Sequence, residues 1–118
     1  MMRYLLIVHV DRDLTGRLSP EEGRDLVRRC MAEDDELRRS GHLVACGPVA
    51  EPETARIVRR RGDATSVTDG PYAETKEHLG GFVLIEARDM EEAVAIAARS
   101  PMAAMGAIEV REQPPLGG

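Results

Sequence analysis

The side chains able to do acid–base or ligand chemistry are His9, Asp34 and a polar loop from Asp69 to His78. His9 lies near the end of the apolar run RYLLIVHV. An imidazole that titrates near neutrality is the usual general base. The plainer role for it is a partly buried strand-end histidine bonded to backbone. Asp34 falls, at about 100° per residue, near the middle of the helical stripe Leu26, Val27, Cys30, Met31 and Leu37. A lone carboxylate there is costly to bury. Asp34 is therefore expected to face a wet cavity, as a ligand-binding group, or to pair with a cation such as an arginine or His9. The loop DGPYAETKEH offers Asp69, Tyr72, Glu74, Lys76 and Glu77. Together these could rim a pocket, with Asp69 orienting His9 as a catalytic pair. The alternative is purely structural. Asp69 then makes local turn hydrogen bonds, Glu74, Lys76 and Glu77 form one exposed ion-pair cluster, and His78 faces solvent.

Metal chemistry finds no such pattern. His9, His42 and His78 show no HxH or HExxH spacing, and two cysteines without CxxC read as buried thiols in a reducing compartment. No glycine-rich phosphate loop is present, so no metal and no cofactor is expected.

The elements that would position these groups follow from periodicity and caps. Arg3 to Val10 is the first strand, followed by a polar loop from Asp11 to Leu18. Ser19-Pro20-Glu21-Glu22 is a capping box with proline at the first helical position. That helix runs to about Ser40 and ends at Gly41. His42 to Val49 is a second strand. Thr54 to Arg61 and Ala64 to Thr68 form a hairpin turning at Gly62-Asp63. After the loop, Gly81 to Glu86 is a strand, Asp89 caps a second helix with Met90, Val94, Ala97 and Ala98 inward, and Ala107 to Glu112 is the last strand. The order β-α-β, hairpin, β-α-β predicts an α+β, ferredoxin-like split βαβ fold with an inserted hairpin. One domain spans 1–112, with a flexible Pro/Gly-rich tail over 113–118. The first strand is apolar on both faces, while helices can cover only one. A second subunit is the expected cover, giving a homodimer.

Composition narrows the partners. The 118 residues suit one domain, and 42% hydrophobic with 31% charged residues is the make-up of a globular chain. A net charge of −5 with only 3% aromatics argues against nucleic acid, which wants cations and stacking platforms. The run Arg59-Arg60-Arg61 is diluted by Glu51, Glu53 and Asp63 and reads as a solvated strand end. The longest apolar run is too short for a bilayer, and the N-terminus reads as a strand, not a signal peptide, so a cytoplasmic protein is expected.

The segment TDGPYAETKEHLGGFVLIEARDMEEAVAIAARSP, with RYLLIVH, SPEEGRDLVRRC and AIEVRE, closely resembles the DGPF-motif branch of the YCII-related family. Tyr72 stands where that branch usually has Phe. The resemblance covers nearly the whole chain and implies a dimeric α+β barrel. It also implies two rival functions. One branch of the wider family resembles a dehalogenating enzyme with a His-Asp pair, the His early in the first helix and the Asp before a proline after the second. Here no His lies between Ser19 and Gly41, and Ser100 precedes Pro101, so neither half carries over. DGPF proteins are also associated with alternative sigma factors, which implies regulation. The expectation is a small-ligand-binding or regulatory homodimer, with a small molecule or a regulatory protein as partner. The alternative is a cofactor-independent enzyme working through His9 and loop carboxylates.

Overall fold

A computed structural model describes residues 1–116. β1 (Met2–Asp11) leads through a four-residue helix α1 (Arg12–Thr15) into α2 (Pro20–Arg39) and then β2 (Leu43–Pro48). A 3-10 turn (Pro52–Thr54) precedes the hairpin β3 (Arg56–Arg61) and β4 (Ala64–Asp69). β5 (Glu77–Ala87), α3 (Met90–Arg99), a 3-10 turn (Pro101–Ala104) and β6 (Gly106–Gln113) complete it. The main sheet has the order β2-β5-β1-β6, all pairs antiparallel, which is the ferredoxin-like arrangement of two βαβ halves. Among the described residues no helix is long and apolar enough to cross a membrane.

The caps act as the sequence requires. Ser19 Oγ accepts from the Glu22 amide at 3.0 Å while the Glu22 carboxylate accepts from the Ser19 amide at 2.9 Å, fixing the start of α2. Gly41, at φ +84°, turns the chain out of it. Asp89 caps α3 through the Glu92 amide at 2.9 Å.

Three boundaries move. The polar loop after β1 contains α1, because Asp11 accepts from the Asp13 amide at 2.9 Å and nucleates a turn. Half of the charged stretch before Gly81 is strand: Glu77, His78 and Leu79 extend β5 against Asp11, Val10 and His9. β6 runs from Gly106 to Gln113, one residue longer at each end than the expected strand; Gly117 and Gly118 of the expected tail lie outside the described residues.

The core lies between one sheet face and α3. Tyr4 and Leu6 of β1, Ile85 and Ala87 of β5, and Ala93, Ile96 and Ala97 of α3 are buried, joined by Leu37 from α2. The inward stripe of α3 is thus Ala93, Ile96 and Ala97, and not Met90, Val94 and Ala98, of which only Ala97 was expected correctly. The small alanines let the helix approach the sheet closely, and larger Met90 and Val94 stay at its margin. The opposite sheet face carries Leu5 beside Leu84 and Ile7 beside Phe82, with no helix over it among the described residues. The β3–β4 hairpin pairs only with itself. It extends the molecule to a radius of gyration of 16.3 Å, against about 13–14 Å for a compact chain of this length.

Candidate functional site

α2 stands off the sheet, and the gap is a cavity of about 510 Å³. Its walls are Leu26, Cys30, Met31 and Asp34 of α2, Val8 and Val10 of β1, Gly80, Gly81 and Val83 of β5, and Cys46 of β2. Ser100, Pro101 and Met102 close it below α3. The Gly80-Gly81 pair has a steric reason to be here, since a Cβ on Gly80 would come within 2.5 Å of Val10 Cγ2. A volume of this size falls within the range of small-molecule sites.

Asp34 is half-buried and lines this cavity, on the inner side of α2 as its phase required. Burial pushes its carboxyl above the usual carboxylate value, and the Cys46 thiol, which donates to it, partly opposes that rise. The nearby Asp34 charge acts in the same sense as burial on both thiols, raising Cys30 and Cys46. The two cysteines are half-buried cavity walls and not enclosed core thiols. They remain neutral thiols rather than thiolates, which suits contact and hydrogen bonding better than nucleophilic attack. Asp34 makes no ion pair among the described residues, so neither an arginine nor His9 answers it. Neighbouring Glu33 is answered, by Arg99 at 3.1 Å.

His9 lies outside the cavity. Its Nε2 is 2.9 Å from Glu109 Oε1 of β6, on the helix-free face beside Ile7. The carboxylate that reaches it therefore comes from β6, not from Asp69 or another loop acid. Asp69 pairs instead with Arg56 at 3.1 Å across the hairpin base. Tyr72 is 81% exposed, with Arg59 over its ring at 5.8 Å. Glu74 is exposed. The expected Glu74–Lys76–Glu77 cluster does not form; Lys76 reaches Asp11 at 3.7 Å, because β5 begins at Glu77 and sets the loop end beside β1.

His78 is a correction. Its side chain is only 13% exposed and lies between Arg12, whose Nε is 3.4 Å from His78 Nδ1, and Glu51 at 3.9 Å. Arg12 also holds Glu53 at 2.6 Å. A bulge between Val8 and His9 shifts the β1–β5 register and places His78 opposite Val10. Asp11, 8% exposed, is a buried charge next to Arg12 in the chain, answered by the Asp13 amide and Lys76. Sequence reasoning missed Asp11, Arg12 and Cys46 as neighbours of the candidate sites. Only the placement of Asp11 directly after an apolar strand hinted at one of them.

Comparison with known proteins agrees with this architecture. Residues 2–114 match the model of the YCII-related domain. An uncharacterised protein of Rhizobium meliloti (strain 1021) is 38% identical over 96 residues, covering 79% of this chain and 75% of the relative. Among solved structures, 5-chloro-2-hydroxyhydroquinone dehydrochlorinase from Burkholderia phenoliruptrix AC1100, in complex with 2,5-dihydroxybenzoquinone, superposes with a TM-score of 0.55. At 19% identity over 96% of this chain and 94% of that one, this likeness speaks for the fold. The chain belongs to the YCII-related domain family.

Proposed function

We propose that the protein is a small-ligand-binding homodimer of the DGPF type. The observation that carries this reading is the cavity under α2, which is apolar except for Asp34, Glu33, Ser100 and the two thiols. Pockets of this make-up hold an apolar body and orient it by a few polar groups. The fold neighbour holds a small cyclic molecule, which supports a ligand of similar size here. The helix-free sheet face supports the dimer. Leu5, Ile7, Phe82 and Leu84 form an apolar strip, flanked by the polar pairs His9–Glu109 and Arg3–Glu86. An apolar centre with a polar rim is the anatomy of an interface.

Benzyl alcohol serves as a neutral probe. Methyl-resolved NMR is expected to show it shifting Val27, Met31, Met102 and Ile108 in the native protein, with no such shifts once Cys46→Trp fills the cavity. Sedimentation is expected to give a dimer at micromolar concentration; a well-folded monomer would remove that half of the proposal.

An acid–base enzyme is the second reading, favoured by the 2.9 Å contact of His9 with Glu109. That pair is outside the cavity. Probe binding that is lost in His9→Gln but retained in Cys46→Trp would move the site to the open face and support it.

A further inference from the structure

Resting on the cavity as a ligand site, we propose that its ligand is a cation, a small organic ammonium with an apolar body. Among the described residues, the charges lining the cavity are the carboxylates Glu33 and Asp34, and no Lys, Arg or His lines it. Glu33 is already matched by Arg99 at 3.1 Å. Arg38, the nearest cation along the helix from Asp34, is committed to Asp35 at 2.6 Å. Asp34 is left with one thiol donor, Cys46.

A half-buried carboxylate with only that weak donor is under-solvated, and a ligand that brings a positive N–H donor restores what burial removed. An anion entering the same space would meet the unanswered Asp34 carboxylate, since Glu33 is matched by Arg99, and would find no cation of its own among the lining residues. A carboxylate, phosphate or phenolate ligand is therefore disfavoured on both charge and desolvation. The rest of the wall suits the remainder of such a molecule. Cys30, Met31, Cys46 and Met102 present polarisable sulfur to the carbons next to an ammonium, and Val8, Val10 and Leu26 receive an apolar body. Thus the polar end selects by charge and the apolar end by size.

Benzylamine, benzyl alcohol and benzoate share one ring and differ in the charge of the substituent. Calorimetric titration at neutral pH is expected to rank benzylamine above benzyl alcohol by about tenfold, the scale of a hydrogen bond to a charged group. Benzoate is expected not to bind. Asp34→Asn should abolish the preference for benzylamine while leaving benzyl alcohol within about twofold. Benzyl alcohol binding retained in Asp34→Asn itself guards against a folding defect in that variant. Benzylamine affinity should also fall on acidification as a proton competes for Asp34. The groups that face Asp34 are Cys30, Glu33, Asp35, Arg38 and Cys46, and the Asn variant carries all of them, so its profile is the control. Benzoate binding as well as benzylamine, or an unchanged preference in Asp34→Asn, would overturn the cation while benzyl alcohol binding kept the cavity. Failure of all three probes would overturn the ligand site itself.

Discussion

α2 and α3 lie over the same sheet face and use it in opposite ways. α3 is short, presents Ala93, Ile96 and Ala97, and seals against Tyr4, Leu6 and Ile85. α2 is twice as long, yet only Leu26 and Leu37 of it are buried, while Val27 and Met31 remain 58% and 60% exposed. Between those two anchors the helix bridges a void. The lesson is a division of labour between the two βαβ halves: one helix supplies stability, and the other gives up contact to make a cavity. Capping and surface ion pairs such as Arg38–Asp35 and Arg39–Glu36 support α2 locally where the sheet does not.

The largest expected effect is on the sealed side. Ile85 is 0% exposed, and Ile85→Ala should lower unfolding stability by about 2–5 kcal/mol at a fixed protomer concentration, measured by urea titration. A loss under about 1 kcal/mol would mean that this core is not the one holding the fold.

The contrast sharpens with one residue type placed under each helix. Ala93→Leu forces extra carbons into a filled layer and should cost about 1–3 kcal/mol. Cys30→Leu adds carbons where there is space, and should leave stability unchanged or raise it. Equal losses from both would mean that the gap under α2 closes in solution. A smaller effect belongs to the helix start: Ser19→Ala removes the cap from α2 and should cost about 1 kcal/mol, read as a lower urea midpoint.

How much of this was readable in the chain follows from the range of each interaction. Asp34 was placed correctly because a helical phase is local, and Leu26, Cys30 and Leu37 fix it within a few turns. Its neighbour Cys46 was not, since that contact depends on β2 registering against β5, with Cys46 opposite Val83. The α3 stripe was misread because the helix AVAIAA is apolar nearly all round and offers no polar side to set the phase. His78 failed for a third reason. Its burial depends on a register shift between β1 and β5 at Gly80 and on Arg12 and Glu51, which come from two distant segments. The order of the six strands and the two long helices was legible, because caps, glycines and apolar runs are written residue by residue, whereas α1 and the two 3-10 turns were not.

The smallest effect is the most diagnostic of the open side. Burial holds the Asp34 carboxyl above its ordinary value in the folded protein. The native state therefore keeps a proton over a pH range in which the unfolded chain has released it. The stability that this proton confers is full below the unfolded value, about 3.9 for aspartate, and is lost as pH rises through the higher folded value. Wild type should thus lose this one contribution across that window, while Asp34→Leu and Asp34→Asn have none to lose; carboxylates held low, such as Glu22 and Glu92, are common to all three and cancel in the difference. Relative to wild type, both variants should gain as pH rises and then level off. The gain should stay below about 1 kcal/mol because the carboxylate is partly solvated. Urea titrations between about pH 4 and about pH 7 follow this difference directly and stay below the range where Cys30 and Cys46 ionise. A difference that does not change with pH would mean that Asp34 is hydrated as freely as a surface acid. A variant that loses several kcal/mol at neutral pH would instead reveal a buried cationic partner, the signature of an orphaned charge. Neither result is compatible with a carboxylate held at the edge of an apolar cavity and waiting for a donor.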